Sequence, residues 1–302
     1  MKSIRDFFGS LFANGQAPQQ QAKTPPPATP DSPAPAPPSE DRSESEAALA
    51  RFDQALAIDP QDAKAWNGKG ALLGDLGRRK EAIACFDRAL AIDPQDAVAW
   101  TNKGISLDAL GQPEEAVACF DKALAIDPEN AEAWNDKGAS LAGLDRQVEA
   151  ITCLDRALAI DSQRVDSWVC KGTVLAGLRR HEEALRCYDQ ATAIDPQNTV
   201  WFCRCRSLTA LGRHEESLAY INQELAINPR NDAAWFLKGK HLAHVGRYEE
   251  ANVCYDKALA IDPGNAMVWW NKCQSLYKLR RNEEADKCYR RAFKLDPSGK
   301  FI

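Results

Sequence analysis

The sequence predicts an all-α solenoid built from antiparallel helix pairs, and three observations carry that prediction. Trp66, Trp100, Trp134, Trp168, Trp201, Trp235 and Trp269 stand 34, 34, 34, 33, 34 and 34 residues apart. A second ladder runs in step with them: Pro60, Pro94, Pro128, Ser162 in place of a proline, Pro196, Pro229, Pro263 and Pro297. Between the rungs, apolar residues recur at helical spacing. A fixed period of this length means one two-helix unit copied along the chain, each copy burying its apolar face against its neighbours.

Taken in order, residues 1–13 place Ile4, Phe7, Phe8, Leu11 and Phe12 on one face of a short amphipathic helix. Residues 14–42 are rich in Pro, Gln, Ala and Ser, have little to bury, and read as a solvated tether. The array is expected over 43–302: a half-copy at 43–62, then seven full copies over 63–299. The second full copy shows the logic. Ala97–Trp100 opens a helix with Gly104 and Leu107 on one face, and Leu110-Gly111 closes it, glycine suiting a left-handed stop. Pro113-Glu114-Glu115 starts the next helix, with Pro in the first turn and acids at the positive end of its dipole. Ala116, Phe120, Ala123 and Leu124 form its apolar stripe, and Asp127-Pro128 ends it.

These residues resemble the tetratricopeptide repeat family. Its pattern of Trp, Gly, Leu, Gly, Ala, aromatic, Ala and Pro is matched by Trp66, Gly70, Leu73, Gly77, Ala82, Phe86, Ala89 and Pro94, and by most later copies. Lys69, Lys103, Lys137 and Lys171 depart from it, standing where the family usually has Leu; their stems are expected to cover the apolar seam while the amines reach water. The resemblance implies a right-handed superhelix whose first helices line a concave groove that binds protein partners.

Composition narrows the function. A content of 44% hydrophobic and 27% charged residues supports a packed core. The net charge of −5 lacks the basic footprint of a nucleic-acid binder, and no apolar run approaches the ~18 residues of a membrane span. Cys85, Cys119, Cys153, Cys187, Cys254 and Cys288 hold one equivalent place in six copies. Successive helices pack about 8–10 Å apart, too far for a disulfide, so the pattern fits buried thiols in a reducing, cytoplasmic setting. Cys203 and Cys205 lie about 200° apart around a helix and make a poor metal pair. No nucleophile elbow, phosphate loop or metal box is present, so the chain reads as non-catalytic, with no cofactor.

By the resemblance, binding residues belong on the first helix of each pair. The residue after each ladder Trp is expected to face the groove: Asn67, Thr101, Asn135, Val169, Phe202, Phe236 and Trp270. This row turns from polar to aromatic, and Arg206, Lys240, His244, Tyr277 and Lys278 add cationic and aromatic groups beside it. The alternative is that the three aromatics pack between helices. Residues 266–302 hold nine Lys/Arg against four Asp/Glu, while 63–130 hold eight against eleven. A partner segment, extended or helical, with acidic and apolar side chains fits the basic end. The carboxylate clamp of chaperone-binding relatives finds only Asn102 in register, and Glu132 and Asp136 would repel such a tail. Two further readings stay open: membrane or partner contact through residues 1–13, and head-to-tail self-association. The fifth copy is irregular, with one residue fewer before Trp201, Cys205 for Gly, Ser217 for Ala and Glu224 for Ala. Arg204, Arg206 and Lys238 are the cations expected near Glu224, whose removal is expected to tighten the packing.

Overall fold

The computed structural model describes residues 40–196 and 200–298, and every regular element among them is an α-helix. The amphipathic segment 1–13 and the tether up to residue 39 lie outside the described residues. Contacts divide the chain into a unit up to Val174 and a unit from Leu175.

The first unit opens with α1 (Glu40–Ile58), three residues earlier than the sequence predicts, and then repeats a pair. These are α2 (Ala63–Asp75) with α3 (Arg79–Ile92), α4 (Ala97–Asp108) with α5 (Pro113–Ile126), and α6 (Ala131–Gly143) with α7 (Gln147–Ile160). Helix α8 (Val165–Gly177) runs across the division. The second unit contains α9 (His181–Ile194), α10 (Trp201–Ala210) with α11 (His214–Ile227), α12 (Asp232–His244) with α13 (Tyr248–Ile261), and α14 (Ala266–Lys278) with α15 (Asn282–Leu295). Connections this short leave paired helices no arrangement but antiparallel.

The two helices of a pair start by different means. Asp62, Asp96, Asn130, Asn231 and Asn265 cap the first helices, each accepting the N–H three residues on at 2.9–3.2 Å. The second helices have no side-chain cap and instead carry acids in the first turn, clamped by arginines one turn back, as in Arg78–Glu81 and Arg247–Glu250, both at 2.6 Å. Between them the chain turns through a left-handed residue. Gly77, Gly111, Gly212 and Gly246 serve in four copies, while Asp145, Arg179 and Arg280 take φ near 60° in the others.

Packing within a pair depends on one close approach. A Cβ at Gly70 would lie 2.6 Å from Phe86, at Gly104 2.6 Å from Phe120, and at Gly239 2.5 Å from Tyr255. The glycine is the socket for the ring. In the fifth copy Cys205 fills the socket, and Ile221, smaller than a ring, stands opposite; both are fully buried.

The Trp ladder marks the joints between copies. Trp66 donates its indole N–H to the Pro60 carbonyl at 3.0 Å, and Trp100, Trp134, Trp168, Trp235 and Trp269 repeat the bond at 2.9–3.0 Å. The lysine row corrects an expectation. Lys69, Lys103, Lys137 and Lys171 do not end in open water. Their amines pair with Asp53, Asp87, Asp121 and Asp155 of the preceding second helix at 2.5 Å, 5.3–5.7 Å from the ladder Trp rings. The preceding repeat supplies the acid and the lysine's own repeat the aromatic face. Glu224 also departs from expectation. Its partner is the Asn231 amide at 2.8 Å rather than Arg204, Arg206 or Lys238, and Asn231 in turn caps α12. Removing Glu224 therefore takes away the acceptor that holds the side chain capping α12.

Among the described residues, several buried side chains carry a polar atom without a hydrogen-bond partner, and in Asn252 both side-chain polar atoms lack one. Asn252 lies in α13 and is 6% exposed. Matching positions hold Ile83, Val117, Ile151, Leu185 and Leu218. Asn252→Leu is expected to stabilise the protein by about 1–3 kcal/mol, read as a higher denaturant midpoint; an unchanged or lower midpoint would contradict this account.

Candidate functional site

In both units the first helices of successive pairs touch one another, α2 with α4 and α4 with α6 in one, α12 with α14 in the other. In the first unit the residues expected to face a partner are largely consumed by these joints. Thr101, Asn135 and Val169 are 2%, 6% and 4% exposed. Ser167 donates to the Asn135 side chain at 2.8 Å, Asn102 to Asn67 at 3.1 Å, and Asn67 to Asp96 at 3.2 Å. The polar row is a hydrogen-bonded seam. Below it, burial pushes the Asp136 carboxyl up to about 7, so much of its charge is already lost at neutral pH.

The second unit keeps its row more open. Phe202, Phe236 and Trp270 are half-buried. Phe202 meets Trp201 edge-on at 5.6 Å, Phe236 lies 6.2 Å from Tyr255, and Trp270 lies 6.1 Å from Tyr289. The last two are thus packed on the second helix of their own pair. The groups beside them are exposed: Arg206, Lys240, His244, Tyr277 and Lys278. Lys240 stands 5.7 Å from the centre of the Phe236 ring. Tyr277 donates to Asp286, which together with burial pushes its phenol up to about 12. Arg206 and Lys240 occupy the place held by Ala71, Ile105, Ala139 and Thr173 in the first unit. The structure therefore presents the cations to solvent and seats the aromatics behind them.

His241 and His244 stand one turn apart on α12, and the structure brings His214 of α11 to both of them. His241, 2% exposed, takes a position filled by Ser106, Ser140, Ser207 and Ser275 in other copies. Its Nε2 lies 2.9 Å from the Ser217 hydroxyl and 3.3 Å from that of Thr209, whose proton goes to the Cys205 carbonyl. Both ring nitrogens are engaged, since Nδ1 lies 3.3 Å from Nδ1 of His214. The His244 ring packs 4.3 Å from that of His214. Burial, with His214, Lys240 and His244 as neighbours, drives the His241 imidazole down to about 4.

All ten cysteines are thiols. Burial pushes Cys170 up to about 12 and both Cys205 and Cys273 to about 11, which makes them poor nucleophiles. Among the described residues no His, Cys, Asp and Glu group is arranged to hold a metal, and no helix is long and apolar enough to cross a membrane.

Models of the tetratricopeptide repeat match residues 63–96, 97–130, 119–152, 165–198, 232–265 and 266–298. They pass over 199–231, which contains the irregular fifth copy. Solved structures agree on the fold. PilW, described as a widely conserved type IV pilus biogenesis factor, is 25% identical with a TM-score of 0.59, over 62% of this chain and 87% of its own. A tetratricopeptide repeat protein from Parabacteroides merdae is 17% identical with a TM-score of 0.58, over 84% and 94%. A chain of the APC/C hetero-tetramer Cut9–Hcn1 is 17% identical with a TM-score of 0.58; the match takes in 85% of the present chain but only 51% of that one. No curated protein matches the sequence.

Proposed function

The chain belongs to the tetratricopeptide repeat family, whose repeats are generally protein–protein interaction modules, and from that premise we propose that it is a non-catalytic scaffold binding a partner segment along the first helices of its second unit. The observation that carries this reading is a row of exposed cations beside half-buried aromatics, with Lys240 over the Phe236 ring. Arg206, Lys240 and Lys278 are exposed, Phe236 lies under Lys240, and Tyr277 precedes Lys278. In the first unit the positions matching Arg206 and Lys240 are the uncharged Ala71, Ile105, Ala139 and Thr173, and the row beside them is held by its own hydrogen bonds. The segment that fits is extended or helical, with carboxylates for the cations and apolar side chains for the rings. A preformed surface keeps the ordering cost on the ligand side.

Reversing the three exposed charges (Arg206→Glu, Lys240→Glu, Lys278→Glu) leaves the packed aromatics untouched. The variant is expected to keep its melting temperature and to lose at least about tenfold in affinity for partners that the wild type captures from native lysate, measured on each purified partner. Equal binding by the variant would remove the second unit's row as the site.

A further inference from the structure

We propose that the protein associates head to tail, with α15 of one copy docking on α1 of a second copy. Each of these helices exposes a face that the other copies of the repeat bury; the faces differ in side-chain size, and the last helix pair and α1 differ in charge.

On α15 the uncovered residues are large. Tyr289 is 44% exposed, although its counterparts Phe86, Phe120, Leu154, Tyr188, Ile221 and Tyr255 are 0–1% exposed. Phe293 is 48% exposed, against 6–8% for Leu56, Leu90, Leu124, Leu158, Leu225 and Leu259. Several of those leucines are covered by the next first helix, as Leu90 is by Ala99 and Trp100 and Leu259 by Val268 and Trp269; no described residue does this for Phe293. Tyr289 has a second reason to stand out: Cys273 occupies its glycine socket. Tyr289 instead stacks on Phe293 at 6.3 Å and meets Trp270 at 6.1 Å, giving one aromatic ridge.

On α1 the uncovered residues are small. Ala55 is exposed and Ala48 half-buried, whereas their counterparts Ala82, Ala89, Ala116, Ala123, Ala150 and Ala157 are fully buried under the first helix of their own pair. Phe52 is likewise half-buried. A seam of small residues is what an aromatic ridge can enter. Charge favours the same match: α1 carries two Arg against five Asp/Glu, and residues 266–295 carry eight Lys/Arg against three Asp/Glu. Ridge against ridge would set like charges together. Such a contact uses different surfaces on the two copies, so it can propagate. The ridge shares Trp270 with the partner-binding row proposed above, whereas Phe293 and Ala55, the two positions tested below, lie outside that row.

Sedimentation velocity on the full chain tests it with two surface variants, Phe293→Asp to spoil the tail and Ala55→Arg to spoil the head. Wild type is expected to sediment faster as concentration rises, and less so in about 0.5 M salt, where charges are screened beyond a few Å. Each variant alone should remain monomeric, at least about tenfold weaker in association. Their equimolar mixture should form dimers and nothing larger, because one intact tail and one intact head remain. Circular dichroism establishes that both variants are folded. A monomeric wild type at every concentration would overturn the proposal. So would association of Ala55→Arg at the wild-type level, which would mean that tails meet tails, and so would a mixture that stays monomeric.

Discussion

Acidification from pH 7 to pH 4 is expected to cost the second unit about 3 kcal/mol through a single side chain, His241. An unfolded histidine titrates near 6.5, whereas in the folded unit this imidazole is held down to about 4. The unfolded chain therefore takes up a proton that the folded one refuses. Stability is full above about pH 6.5, falls as the pH drops towards 4, and loses nothing further to this group below that. The cause is geometric as well as dielectric. The imidazolium carries its charge beside the His214 ring, whose Nδ1 lies 3.3 Å from that of His241, with Lys240 and His244 as further neighbours. The control is His241→Ser, the residue that Ser106, Ser140, Ser207 and Ser275 supply at the same place. Carboxylates lose stability in acid in both proteins, so the readout is the difference between them, taken from denaturant midpoints across the window. Parallel losses in wild type and variant would show that His241 is not responsible.

Gly239→Cys is expected to destabilise by about 2 kcal/mol, because the new side chain would begin 2.5 Å from the Tyr255 ring. Adding Tyr255→Ile should cost less than its effect in the wild type, with a coupling of about 1 kcal/mol in favour of the double variant. The fifth copy already holds that combination, Cys205 against Ile221, with both residues fully buried. Strict additivity in a double-mutant cycle would mean that socket and ring do not determine each other. The last copy is the natural contrast: it has the cysteine, Cys273, without the smaller partner, and its Tyr289 lies outward.

Much of the fold was legible because repetition multiplies weak signals. One Trp or one Asp-Pro means little, but seven Trp in register fix the unit, its helix boundaries and the stops at Gly77, Gly111, Gly212 and Gly246. The site was less legible. Phe202, Phe236 and Trp270 could be named as a row, but their ordering behind Arg206, Lys240 and Lys278 depends on which neighbouring helix each side chain meets. The polar row of the first unit looked available, but Thr101 and Asn135 are buried and the half-buried Asn67 and Asn102 are hydrogen-bonded to each other. The clearest overlooked signals were substitutions against the repeat: His241 for Ser, Asn252 for an apolar residue, Cys273 for Gly.

The sequence by itself determined the helix pair, its period and its close contacts, because those follow from local periodicity, capping and turn chemistry, which act over a few residues. Only the tertiary structure decided the rest. It gave Lys69 and its counterparts their acids 16 residues back, gave Glu224 its amide, brought His214 onto His241 across 27 residues, and left α1 and α15 with faces that no described helix covers. Burial and partner choice are sums over neighbours from other copies, and a repeat read one unit at a time does not contain those neighbours.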